Sequence, residues 1–184
     1  MINKKEFDSI LNGMDRYDKL RESLIRKSRE VLKESKQLIY ALHRDQKAAS
    51  TKAEKAKREL DVITRKHDNL RHEGMHSAAM QEYVEAMTYK AFLHGKALPS
   101  RTGLGVNSSD YLMGLCDLTG ELARRAVRLA TARKKAEVER ILSFLQALEG
   151  QFIRFDFANG QLRKKYDSIK WNLKKVEEVL YDLR

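Results

Sequence analysis

Four carboxylates at helical spacing carry the strongest chemical signal in this chain. Glu82 and Glu85 lie three apart in the run Gln-Glu-Tyr-Val-Glu-Ala, and Asp117 and Glu121 lie four apart in Gly-Leu-Cys-Asp-Leu-Thr-Gly-Glu-Leu. On a helix, each spacing projects both acids from one face. Their neighbours are apolar: Tyr83, Val84, Ala86 and Met87 around the first pair, Leu115, Leu118 and Leu122 around the second. Two unit charges about 4 Å apart repel by roughly 4 kcal/mol at an effective dielectric near 20, a large part of the ~5–15 kcal/mol that holds a domain together. A bound cation offsets that repulsion, and carboxylate oxygens suit hard ions such as Mg²⁺ or Mn²⁺. The alternative is that the acids pair with Lys90, Arg124 or Arg125.

The elements that must position these acids read as helices throughout. One proline and nine glycines leave little material for hairpins, while three-and-four apolar spacing recurs along the chain. The fold class expected is all-α, in a single domain over 1–184. Ile10, Met14, Tyr17, Leu24, Val31, Leu38 and Leu42 mark one long helix from about residue 14 to 47, with a break at Asn12-Gly13. Thr51 with Glu54 is a capping-box signal for a second, running to about residue 70. A third, over about 77–94, carries Glu82 and Glu85. Residues 95–109, with Pro99, Gly103 and Gly105, read as a loop. Ser109 or Asp110 then caps a fourth helix to about residue 130, which carries Asp117 and Glu121. Val138, Ile141, Leu142, Leu145 and Leu148 mark a fifth, ending before Asn159-Gly160. In the last helix Leu162, Tyr166, Ile169, Leu173, Val176 and Leu180 form a heptad seam. Trp171, Val179 and Leu183 widen it, which suits a helix that serves both core and subunit interface.

Charge is distributed unevenly over this scaffold. Lys and Arg number 19 against 12 Asp and Glu in residues 1–72, 3 against 6 in 73–123, and 15 against 8 in 124–184. The formal net charge is +11, and an acidic middle between two basic thirds suits an anionic polymer held over an acid cluster. Solvated faces on Lys-rich helices produce a similar count. A lone cysteine, Cys116, excludes an internal disulfide and reads as a small buried residue of a reduced, cytoplasmic protein. No run reaches the ~18 apolar residues of a membrane span.

Residues 72–76, His-Glu-Gly-Met-His, match the zincin pattern letter for letter. Gly74 weakens the helix that such a site needs, no later histidine follows at zincin spacing, and no sheet is indicated. Glu73 with His76 imitates half of a di-iron Glu-x-x-His motif, but the second half is missing.

Three segments carry a resemblance: Ser28 to Arg44, Gln81 to Ala86, and Asp110 to Leu122 with its Gly-Leu-Cys-Asp-Leu-Thr-Gly-Glu-Leu run, joined by Lys164-Lys165-Tyr166 and Lys174-Lys175-Val176-Glu177 in the last helix. On these the chain resembles the translin superfamily, and within it the translin-associated factor X branch more than translin itself. The resemblance implies a bundle of about six to seven helices. It also implies a hollow, roughly octameric assembly that holds RNA, and a Mg²⁺-dependent endoribonuclease activity resting on Glu82, Glu85 and Asp117, with Glu121 adjoining. It raises a translin-like partner subunit as a further expectation, and compact length favours self-assembly. The non-catalytic alternative is a translin-type oligomer that binds single-stranded DNA or RNA.

If the third and fourth helices pack side by side, Glu82, Glu85, Asp117 and Glu121 converge on one or two ions, with Glu85 as a candidate general base. Lys36, His43 and Arg44 share one face of the first helix and are candidate nucleic-acid contacts, as are Lys90 and His94 on the third.

Overall fold

The computed structural model describes residues 2–67, 70–71 and 73–183. Among these residues lie seven helices: α1 Lys4–His43, α2 Thr51–Lys66, α3 Gly74–Leu93, α4 Arg101–Leu104, α5 Ser108–Thr131, α6 Lys135–Phe152 and α7 Gln161–Tyr181. Among the described residues there is no strand, and no helix is long and apolar enough to cross a membrane.

α3 is the centre of the bundle. It packs on α1 along one side and α5 along the other, and α5 continues the layer onto α7 and α6, while α2 lies against α1. Ala79, Met80, Val84, Ala86 and Tyr89 bury most sides of α3 almost completely, while the edge that bears Glu82 stays half-buried. Two apolar clusters result. One joins Leu24, Val31, Leu60, Leu70 and Met80 at the end where α1, α2 and α3 meet; the other joins Leu38 of α1 and Tyr89 of α3 to Leu118, Leu122, Ile141, Leu145 and Ile169 of α5, α6 and α7. Each fully buried Leu or Ile contributes roughly 1.5–3 kcal/mol.

A close helix–helix approach in this core lies next to the acids. A Cβ at Gly114 of α5 would sit 2.7 Å from the Gln81 carbonyl oxygen and 2.7 Å from Val84 Cβ of α3. Glycine therefore sets the spacing of the two helices that carry the carboxylates.

Boundaries differ from expectation where capping decides them. α1 begins at Lys4 without a break at Asn12-Gly13, because Asn3 Oδ1 accepts from the Glu6 amide and starts it early. It stops at His43 rather than 47, since Asp45 takes a left-handed φ of 54°. Ile10 and Met14 are more than half exposed, so the first turns of α1 project beyond the bundle. α2 ends at Lys66, short of residue 70. The 95–109 loop contains the single turn α4, capped by Ser100. α5 is capped by Asn107, whose Oδ1 accepts from the Asp110 amide at 2.8 Å, with the Asn107 amide donating back to Asp110 Oδ2 at 2.7 Å. The seam of α7 faces inward through Tyr166, Ile169 and Val176, while Trp171 and Tyr181 stand about 70 % exposed (71% and 69%).

Candidate active site

The packing of α3 against both α1 and α5 leaves a groove over the exposed edge of α3. Glu82 and Glu85 form its floor, Asp117 and Glu121 of α5 one wall, and Lys36 of α1 the other; Ser168 and Asn172 of α7 close one end. The cleft has a volume of about 550 Å³. The two acid pairs therefore meet in space, as the side-by-side arrangement of their helices required.

Three of the four acids have basic partners. Lys36 Nζ lies 3.9 Å from Glu82, Lys165 of α7 bonds Asp117, and His43 bonds Glu121, with Arg124 at 3.7 Å. His43 Nε2 faces the Glu121 carboxylate and its Nδ1 faces the Tyr89 hydroxyl at 3.1 Å. A neutral imidazole satisfies both by donating from Nε2 and accepting at Nδ1. That hydrogen bond holds the Glu121 carboxyl below its ordinary range against the opposing effect of burial. Burial raises Glu82, partly countered by Lys36.

Glu85 is the exception. It is only 8% exposed, and among the described residues no hydrogen bond or ion pair engages its carboxylate. Burial, then the charges of Glu82, Asp117 and Glu121, push its pKa up to about 8. An unpaired acid of this kind in a cleft is a mark of a working site. The donor set is all carboxylate oxygen, which fits a hard cation. As the side chains stand, no three His, Cys, Asp or Glu among the described residues are gathered tightly enough to hold an ion; three of the acids are turned to their basic partners.

The other candidates disperse. Lys36 reaches the cleft and is largely exposed. His43 is 7% exposed, enclosed by Glu121 and Tyr89. Arg44 is on the surface, its guanidinium 4.3 Å from the Tyr40 ring centroid. Lys90 donates to Ser50 Oγ at 2.8 Å, and His94 caps the end of α3; neither lines the cleft. Of the zincin-like run, His72 lies outside the described residues, and Glu73 is taken up by the Tyr17 hydroxyl at 2.7 Å and Arg21 at 3.0 Å. Cys116 is buried, its thiol pushed up to about 12 by burial.

Sequence reasoning missed the contribution of α7. Lys165 donates to Gln81 Oε1 at 3.0 Å as well as binding Asp117, and Asn172 donates to Thr119 Oγ1 at 2.8 Å. The signal was present: Lys165, Ser168 and Asn172 repeat at three and four beside the heptad seam, a polar stripe on a face next to a buried one.

The Translin family model matches residues 19–184. The chain belongs to the Translin family. Its similarity to the translin-associated protein X homolog of Schizosaccharomyces pombe is 28% identity over 200 residues, covering 97% of this chain and 87% of that protein. Human translin is 40% identical over 81 residues, 44% of this chain and 36% of translin. Among solved structures, apo-NeC3PO superposes with a TM-score of 0.82 at 22% identity, covering 100% of this chain and 99% of that one. AfC3PO, in a complex with duplex RNA, superposes with a TM-score of 0.80 at 22% identity, over 97% of this chain and 96% of that one. The Translin-family fold is thus shared over the whole chain, and the acid cleft is built inside it.

Proposed function

We propose that this Translin-family chain is a metal-dependent endoribonuclease that works as a subunit of a hollow oligomer enclosing RNA. The observation that carries the reading is the cleft in which Glu82, Glu85, Asp117 and Glu121 face one another, rimmed by Lys36, Arg124 and Lys165. The near full-length similarity to a translin-associated protein X homolog supports it, as does the common fold with AfC3PO, a protein that has been captured with duplex RNA.

The residues have separable tasks. Lys36 and Arg124, both about two-thirds exposed, draw the phosphodiester backbone over the cleft. Glu82, Asp117 and Glu121 would exchange their basic partners for Mg²⁺ or Mn²⁺, and Glu85 would complete the set. Bound there, the ion supplies an activated water and offsets the charge of the phosphate. Without a cation Glu85 keeps its proton near neutral pH, its pKa pushed up to about 8 by burial and the neighbouring acids; once a cation displaces that proton, its carboxylate would serve as a ligand or as general base toward water. His43 and Tyr89 fix the orientation of Glu121 from behind.

Self-association is supported by apolar surface outside the core. Phe7, Leu11 and Met14 on the projecting end of α1 are at least 60% exposed, and Trp171 and Tyr181 on α7 are more so. A second reading, a non-catalytic nucleic-acid-binding oligomer, is favoured by the pairing of three acids with basic side chains.

Incubation of the purified protein with end-labelled RNA separates the two. Internal cleavage in Mg²⁺ or Mn²⁺ that stops in EDTA is expected. Retention of RNA without metal-dependent cleavage assigns the chain to the second reading.

A further inference from the structure

The seam between α1 and α5 continues past Glu121. Four residues beyond Lys36, about 6 Å along α1, stands Tyr40, and four more bring Arg44, just past its end; on α5 the turns after Glu121 bring Arg124 and Arg128. With His43 and Val127 these side chains line a second groove of about 410 Å³. His43, which lines this groove, bonds Glu121 of the acid cleft, so the two are neighbours.

Two features set this groove apart from an ordinary charged surface. Tyr40 is 53% exposed, and the Arg44 guanidinium lies 4.3 Å from its ring centroid, so an aromatic face and a planar cation are offered together. Arg125 and Arg128 are joined to Asp45, and Arg124 to Glu121, while among the described residues no carboxylate pairs with Arg44. Aromatic rings and guanidinium groups both pack on the flat face of a nucleobase, and the surrounding cations take its phosphates.

We propose that Tyr40 with Arg44 is a stacking platform for an unpaired nucleotide of RNA, adjoining the nucleotide whose phosphate lies over the carboxylates; this rests on the nuclease reading above. A base inside a duplex has both faces covered by its neighbours. The platform therefore takes a base that is not so enclosed, and the ~12 Å of α1 from Lys36 to Arg44 matches a few stacked nucleotides.

The test uses the full chain and a short single-stranded RNA carrying the fluorescent base 2-aminopurine at successive positions, in EDTA so that the strand stays intact. Quenching at one position is expected with the wild-type protein and with Tyr40→Phe. Tyr40→Ala is expected to lose the quench and bind about ten-fold more weakly. No quenching at any position, or an undiminished quench with Tyr40→Ala, overturns the platform. An independent measurement needs no variant: irradiation of the wild-type protein with 5-iodouridine RNA is expected to cross-link Tyr40, and cross-links confined to other segments overturn the proposal. Cleavage of the same RNA in Mg²⁺ keeps the two readings apart. Quenching without cleavage removes the nuclease and leaves the platform, whereas cleavage without quenching does the reverse.

Discussion

Glu85 concentrates the tension on which the site depends. It is buried on α3 beneath two other acids of α5, with no partner of its own, and its pKa is pushed up to about 8. In the metal-free protein it therefore holds a proton at neutral pH that the unfolded chain has already released. The folded state binds more protons than the unfolded one between the ordinary carboxylate range, near 4.5, and about 8, so stability falls as pH rises through that window. Glu85→Gln is expected to remove this loss and to be the more stable protein at pH 8, by a few kcal/mol at most. Urea unfolding of both proteins from pH 5 to 8 checks it, and parallel curves contradict it. Asp45 and Glu121, whose pKa values are lowered by Arg125 and His43, act in the opposite sense and below that window: their contribution is present above the ordinary carboxylate range and is lost as pH falls through their lowered values. The four acids were legible in the sequence because their spacing and apolar surroundings are local. Their basic partners Lys165 and His43 were not, because 48 and 78 residues separate them from the acids they bond.

At the scale of elements, the distance between α3 and α5 decides whether the two acid pairs share a cleft. Gly114 sets it, and the backbone oxygen of Gln81 is the atom a methyl group would meet. Gly114→Ala is expected to cost about 1–3 kcal/mol, read as a lower urea midpoint, and to reduce metal-dependent cleavage by prising Asp117 and Glu121 away from Glu82 and Glu85. Wild-type stability in this variant would show that the helices yield freely. Periodicity made six of the seven helices readable, since each buries a stripe at helical spacing. The short α4 was hidden in a Gly- and Pro-containing stretch, where a single Ser100 cap creates one turn. Helix ends were less readable, because Asp45 and Arg133 close α1 and α5 in left-handed backbone conformations that their residue types do not announce.

At the scale of the whole molecule, a net charge of +11 surrounds an acidic middle third. The phosphate contacts proposed for Lys36 and Arg124 predict RNA affinity that falls steeply between 50 and 200 mM salt, by orders of magnitude if several phosphates are neutralised. The exposed apolar residues of α1 and α7 predict a mass well above one 21.4 kDa chain, roughly 170 kDa for eight copies. Light scattering after size exclusion measures it, and a monomer would contradict a hollow assembly. The central claim is that the four carboxylates of one cleft cut RNA with a metal ion, and single-turnover cleavage at saturating protein tests it most directly. With RNA binding kept equal, Glu85→Ala and Asp117→Ala are expected to lower the Mg²⁺-dependent rate at least about a hundred-fold; undiminished cleavage by both variants would contradict the account.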